Sequence, residues 1–501
     1  MTRRALRRLF AAPGLAAALA VGLAGCAGGG GAPQTVAQRG AGDQRLGAEA
    51  HRQILAQYGG AYDGPVAAYV ERLGRRLAAE SEQPGAPWTF TVLDSPVVNA
   101  FAISGGYVYV TRGLVTLADD EAELAGVIGH EIGHVTADHS AERRQQQTLA
   151  QLGSLAAVIG AAALGVEGAG LDMIGQLSQA AGQGAVASYS RGQELEADRL
   201  GVRYLARAGY DPEAQADFLE SLAEQTALEA RIAGASYNPN RVDFFATHPA
   251  TAARVREAIR AAGVEGAGAS GAPRNRDAFL AAIDGMVYGD SPAHGFVRGD
   301  RFIHPELRFA FAAPEGYRIT NAAQAVTMRG PRGAVIFDGG RDPGGPLDRY
   351  VAEGWAAALA RQARVGRLQG LESFSIDGKA AAGAWLPIRT REGVRAARLT
   401  AIRMGDGRVY RFMGLADPND RAAMAAAEAA PRSFEALSAA EARRAEPYRV
   451  GVATVRAGDS AASLAARMPF GAANEARFRV LNDLGPNETL RPGQRVKLIR
   501  G

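Results

Sequence analysis

Cysteine is almost absent from this 501-residue chain, Cys26 being the only one. A single thiol excludes a disulfide within the chain, and it leaves the remainder without a cysteine nucleophile or a cysteine metal ligand. Lysine is nearly as scarce, with Lys379 and Lys497 alone, so the formal charge of +4 rests on arginine. Aromatic residues make up 7% of the chain and are not interleaved with a dense basic stripe, which argues against nucleic-acid binding. Apolar runs long enough to cross a bilayer comfortably are also lacking. The stretches Leu15–Leu23 and Leu152–Val166 both fall short of the roughly 20 residues a spanning helix needs.

What is present is ample apolar material, 47% of residues, enough for several cores and about three domains. The expected fold class is α+β and multidomain. Arg3, Arg4, Arg7 and Arg8 precede the Leu15–Leu23 run, which ends in LAGC at Cys26. This resembles a bacterial lipoprotein signal. The resemblance implies cleavage before Cys26, lipidation of that residue, and, from Ala27 in place of aspartate, export to the outer membrane. An uncleaved anchor is the alternative.

Residues 27–44 are expected to be a flexible tether. A first folded unit spans 45–263, with helical patterns at Ala48–Tyr58 and Val66–Glu80 and strand patterns at Thr89–Asp94 and Gly105–Val110. Residues 264–300 read as a linker. Residues 301–440 read as a small α+β domain of no assigned role, and 446–501 as strand, helix, helix, strand.

The chemistry lies in two short segments, HEIGH at His130–His134 and ELEAD at Glu194–Asp198. On a helix, residues four apart share a face, so His130 and His134 can offer two imidazoles to one metal while Glu131 faces the open position. Asp120 and Glu123 suggest a capping box for this helix, with Leu124, Val127, Ile128, Ile132 and Val135 as its buried stripe. Gly126, Gly133 and Ala137 form a strip of small residues along which a second helix can approach. A helix over Arg191–Ala208 would carry Glu194 as third ligand and Asp198, four residues on, as acceptor from a ligand imidazole. Glu196 competes for the ligand role but points about 200° away, toward solvent or Arg199 and Arg203. His139 lies off the ligand face.

These segments, with NAFAISGGYVYVTRGLV at Asn99–Val115, SRGQELEADRLG at Ser190–Gly201 and THPATAAR at Thr247–Arg254, resemble the gluzincin metalloendopeptidases, the HtpX-like and CAAX-prenyl-protease-like group with its periplasmic beta-barrel assembly-enhancing branch. Ser104, where many relatives carry proline, and Ala137-Asp138, in place of a more usual basic residue, depart from the pattern without touching the ligands. The resemblance implies a mainly helical zincin protease domain with a small β-sheet and one zinc ion per chain. His130, His134 and Glu194 would be the ligands, Glu131 the catalytic carboxylate.

Glu131 would take a proton from the attacking water and return it to the leaving amine. His248 and Arg254 are the candidate donors to the oxyanion. A neutral His248 has a second possible role, filling the fourth zinc position until substrate displaces it. Gly105, Gly106, Tyr107 and Val108 are expected on an edge strand to which an extended substrate adds, the alternative being a core strand.

The tail, with GD at Gly458-Asp459, LN at Leu481-Asn482 and PGQ at Pro492–Gln494, resembles a LysM module, which implies a βααβ fold and peptidoglycan as a possible partner. The expected function is a lipid-anchored periplasmic endopeptidase acting on unfolded or misassembled envelope proteins. A peptidoglycan hydrolase is disfavoured because no H-x-H pair exists. A chaperone or assembly scaffold is disfavoured because Glu131 is intact.

Overall fold

The structure, a computed structural model, describes residues 36–139, 189–232, 248, 252–265, 271–322, 325–361, 363–390 and 393–501. Cys26 and the run Leu152–Val166 lie outside the described residues. Among these residues no helix is long and apolar enough to cross a membrane.

Helix α1 spans Val36–Gln57, so the expected tether is helical from residue 36 onward. Helix α2, Pro65–Ala79, buries Val66, Val70, Leu73 and Leu77 along one stripe, the spacing of a helix face turned to a core. Its Gly74 lies so close to Phe90 that an added Cβ would fall 2.3 Å from the ring. The helix is thereby pressed flat on strand β1, Thr89–Leu93.

Strands β2, Ala100–Ile103, and β3, Tyr107–Thr111, complete a sheet in the order β1-β3-β2, parallel between β1 and β3 and antiparallel between β2 and β3. Gly105 and Gly106, with φ of 87° and 80°, make the tight turn between β2 and β3. The expected edge strand is therefore the central one. Tyr107 and Val108 are paired on both sides, and the edge beside the helix Glu121–Thr136 is β2. Thr111 N donates to Asn99 O, and the alternation of an antiparallel ladder then turns the N–H and C=O of Ala100 and Ala102 outward.

Helices α3 (Arg112–Leu117), α4 (Glu121–Thr136), α5 (Arg191–Arg207), α6 (Ala214–Ile232) and α7 (Ala252–Glu265) follow. The linker expectation fails for the described part of 264–300. Helix α8, Arg276–Ile283, buries Phe279, Leu280 and Ile283 in the same core as α2 and α4. Ahead of it, Arg274 reaches Asp120, Asp217 and Asp211 at 2.6, 2.7 and 3.1 Å. The Gly/Ala-rich composition concealed an amphipathic helix and its anchoring arginine.

The middle region combines strands and helices. A seven-stranded antiparallel sheet has the order Gln369–Ile376, Lys379–Thr390, Gly393–Met404, Arg408–Ala416, Gly333–Arg341, Val326–Gly330, Arg318–Asn321. Ala382, Ala384, Leu399 and Val409 on one face pack on a helical segment, Leu347–Ala360, that contains a π-turn at Tyr350–Ala356. Phe337, Tyr410 and Phe412 on the other face meet Phe302, Phe309 and Phe311 of a four-stranded sheet.

The tail runs strand, helix, helix, strand: Tyr448–Thr454, Ala461–Ala465, Asn474–Leu481 and Arg495–Arg500. It is not a separate bead. Its first strand pairs with Val287–Tyr288, and Val450, Leu464, Phe478 and Leu498 share one continuous core with α2 and α4.

Candidate metal centre

Helix α4 starts where Asp120 accepts from Glu123 N at 2.9 Å. The reciprocal half of the expected box is displaced by one residue, since Glu123 accepts from Asp119 N. Leu124, Val127, Ile128 and Ile132 are buried as predicted, and Val135 is half-buried. Of the expected small-residue strip, Gly126 and Gly133 each meet a neighbouring helix, and Gly129 joins them. Gly126 faces Gln215 of α6, whereas Gly129 and Gly133 receive α5 at Gly201 and Ala197. A Cβ on Gly201 would sit 2.8 Å from His130 N. Glycine at 129 and 133 facing alanine and glycine at 197 and 201, all four apart, was the legible signal for this contact.

That approach brings Glu194, in the first turn of α5 behind a Ser190–Gln193 capping box, to the face of α4 that carries both histidines. His130, His134, Glu194 and His248 are all buried, and each offers one ligand atom within 4.8 Å of the others. His130 Nε2 lies 3.0 Å from His134 Nε2, 3.3 Å from His248 Nδ1 and 3.6 Å from Glu194 Oε2. Glu194 Oε1 lies 3.5 Å from His134 Nε2 and 2.9 Å from His248 Nδ1. Bonds of 2.0–2.1 Å in tetrahedral array place donors roughly 3.3 Å apart, which is the middle of this range. Three imidazoles and one carboxylate, without sulfur, suit zinc among the common metals.

Asp198 lies behind His130, its Oδ1 2.9 Å from His130 Nδ1. Burial raises the Asp198 carboxyl, but Arg254 and His130 outweigh that and hold it well below the usual carboxylate range. It stays ionised, and an ionised acceptor at Nδ1 leaves the His130 Nε2 lone pair for the centre.

Arg254, expected as a donor to the oxyanion, is turned toward two carboxylates. It is buried, and its guanidinium is spent on Asp198 (Nε–Oδ2 2.8 Å, Nη2–Oδ1 2.7 Å) and on Glu194 Oε2 at 2.8 Å. Two carboxylates in a site closed to water demand a cation between them, and the arginine fixes both. His248 stands with His130, His134 and Glu194, and its Nε2 lies 3.5 Å from Glu131 Oε1. Glu131 itself is fully buried.

Glu196 stands at the surface, the first of its two expected surroundings. It contacts neither Arg199 nor Arg203, which pair with Glu257 and with Glu82 and Glu265; its Oε2 lies 3.4 Å from His139 Nε2. Tyr189, which the sequence reading did not single out, stacks on His134 with centroids 3.7 Å apart and planes at 12°. Its position directly before the Ser190 cap was the available clue.

The chain is similar to the beta-barrel assembly-enhancing protease of Yersinia pestis, 35% identical over 209 residues, 41% of each chain. The protein of that name from Escherichia coli K12 is 32% identical over 194 residues, 38% of this chain and 37% of the relative. Mitochondrial metalloendopeptidase OMA1 of Schizosaccharomyces pombe is 30% identical over 220 residues, 43% of this chain and 59% of the relative. The matched stretch thus covers less than two thirds of each of these relatives. Every residue of the centre falls inside the segment 66–262, which matches the model of peptidase family M48.

Proposed function

We propose that this chain is a zinc metalloendopeptidase that hydrolyses peptide bonds in misfolded or misassembled envelope proteins. The observation that carries the reading is the buried set His130, His134, Glu194 and His248 with Glu131 at its side. A fold that needed only packing would not converge three imidazoles and two carboxylates away from water. When bound, zinc would supply Lewis acidity toward water and the scissile carbonyl. Glu131 takes the proton of the attacking water and passes it to the leaving amine. Asp198 and Arg254 hold His130 and Glu194 in place.

An extended substrate would add to β2, whose Ala100 and Ala102 turn their backbone groups away from β3 on the side of α4. Such recognition reads backbone rather than sequence and selects chains that are not folded. His248, in the donor set, acts as a latch that holds the resting enzyme inactive and leaves when substrate enters. The relatives named for beta-barrel assembly support the substrate class. We place the protein on the periplasmic side of the outer membrane, anchored through Cys26, with the βααβ tail in reach of peptidoglycan.

The test compares the form beginning after Cys26 with Glu131→Gln on an unfolded outer-membrane protein. Equal zinc in both, with cleavage reduced by roughly 10²–10⁴-fold in the variant, is the expected result. Equal cleavage by both would remove Glu131 from the chemistry and the reading with it.

A further inference from the structure

The two histidines of α4 are backed differently. His130 rests on Asp198, whereas the Nδ1 of His134 lies 3.0 Å from Nδ1 of His139, and the Nε2 of His139 lies 3.4 Å from Oε2 of Glu196. His139 follows the end of α4 and reaches back because Asp138 adopts a left-handed conformation, φ 56°, which a short polar residue tolerates better than most. The imidazole of His139 is buried, 6% exposed, while Glu196 stands at the surface with 53% of its side chain exposed.

We propose that His139 and Glu196 form a relay that fixes the ring of His134 from behind, making His139 a positioning residue of the centre. The inference rests on the reading that His134 ligates a metal. Its Nε2 faces the other donors, so its Nδ1 carries the proton and donates to His139 Nδ1. That nitrogen can accept only if the proton of His139 is on Nε2, from which it donates to Glu196 Oε2. The chain of bonds runs in one direction, from ligand to surface carboxylate, and each tautomer sets the next.

Tyr189 covers one face of the same ring, which restrains its tilt but not the choice of tautomer. Helix α5 thereby serves the site three times. Glu194 enters the donor set, Asp198 backs His130 directly, and Glu196 backs His134 through His139. The relay gives a role to the middle acid of ELEAD, which pairs with His139 rather than with an arginine of its own helix.

Three variants separate positioning from packing. His139→Leu removes the acceptor at similar volume, His139→Asn puts an oxygen near where Nδ1 stood, and Glu196→Gln removes the terminal charge at a site open to solvent. The readouts are the zinc dissociation constant, by competition with a chromophoric chelator, the visible spectrum of the Co(II)-loaded protein, and the melting temperature of the metal-free protein. For H139L we expect zinc binding weaker by about 10–100-fold, for H139N within about threefold of wild type, and for E196Q in between. H139L and H139N should also differ in the Co(II) spectrum.

Zinc binding by H139L as tight as wild type, or by H139N as weak as H139L, overturns the relay. If H139L lacks a folded metal-free state, E196Q decides. A weaker zinc affinity at unchanged melting temperature supports the relay, and an unchanged affinity overturns it. A wild-type protein that binds no zinc sinks the reading of the site itself, an outcome distinct from either.

Discussion

Lys497, in the last strand of the chain, places its Nζ 3.4 Å from Asp119 Oδ1 and donates to the carbonyls of Ala118, Thr116 and Leu117 at 2.7, 3.0 and 3.1 Å. The ammonium is fully buried and sits where α3 ends, the pole of a helix that favours a cation. Three donors meet three orphan carbonyls, which is how a buried lysine avoids an unpaired charge. Asp119 directly precedes the Asp120 cap of α4. The tail is therefore tied to the start of the helix that carries the metal face.

Lys497→Met should strip these carbonyls of their partner and leave Asp119 with Arg276 alone. Breaking a buried pair by removing one member costs about 3–5 kcal/mol. Urea unfolding followed by far-UV circular dichroism measures it. An unchanged midpoint would show that the tail is an independent module that merely touches the unit carrying α4.

Gly201→Ala should push α5 away from α4. The added methyl meets His130 N at 2.8 Å and Gln215 Oε1 at 2.7 Å, and backbone cannot yield as a side-chain tip can. Overpacking of this kind costs about 1–3 kcal/mol. Because Glu194 rides on the displaced helix, zinc affinity should fall together with melting temperature. A variant that loses stability but binds zinc as tightly as wild type would mean that the donor set tolerates movement of α5.

The parts of this site that could be read in the sequence are those fixed by local geometry. His130, His134, Glu194 and Asp198 share faces of single helices, and helical spacing is a property of neighbours in the chain. The expected edge strand failed for the opposite reason. Whether Tyr107–Thr111 is central or peripheral depends on how β1 and β2 pair with it, and its alternating pattern is the same in both cases. Arg254 likewise looked like a free donor until folding set it between Asp198 and Glu194. His139 lies off the ligand face on an ideal helix, and the left-handed Asp138 that returns it is not signalled by α4's periodicity. Lys497, one of only two lysines, adds a buried polar tie between the tail and the start of α4, and nothing in the local pattern distinguishes a buried lysine from a solvated one.

Stability should depend on pH through the middle region. Burial drives the His304 imidazole from 6.5 down to about 3, with His294 and Arg408 adding to the effect. Between those values the unfolded chain binds a proton that the folded chain refuses, so unfolding gains with every step toward acid. The contribution is fully present above pH ~6.5 and is lost as pH falls toward ~3, amounting to roughly 2 kcal/mol by pH 5. His304→Asn keeps an acceptor for Leu307 N, the partner of His304 Nδ1, without the titration. Urea midpoints measured from pH 7.5 to about 5 should fall more steeply for wild type than for the variant. Parallel profiles would show that His304 is protonated at no cost.

His248→Ala tests the latch. The imidazole is fully buried, its Nδ1 2.9 Å from Glu194 Oε1 and its Nε2 3.5 Å from Glu131 Oε1, so it occupies the space in which a substrate carbonyl and its attacking water would have to meet. Removing the ring opens that space and leaves His130, His134 and Glu194, the number of protein ligands a catalytic zinc commonly keeps. Zinc content should be retained, and kcat/KM on an unfolded outer-membrane protein should rise roughly tenfold if the closed state is favoured by about 1.4 kcal/mol. The alternative role makes the opposite forecast. If His248 serves chiefly as the oxyanion donor, the same variant loses activity at every substrate concentration, kcat falling by about 10²–10³-fold with zinc still bound. The direction of the change therefore decides which of its two neighbours, Glu194 or Glu131, sets the function of this histidine.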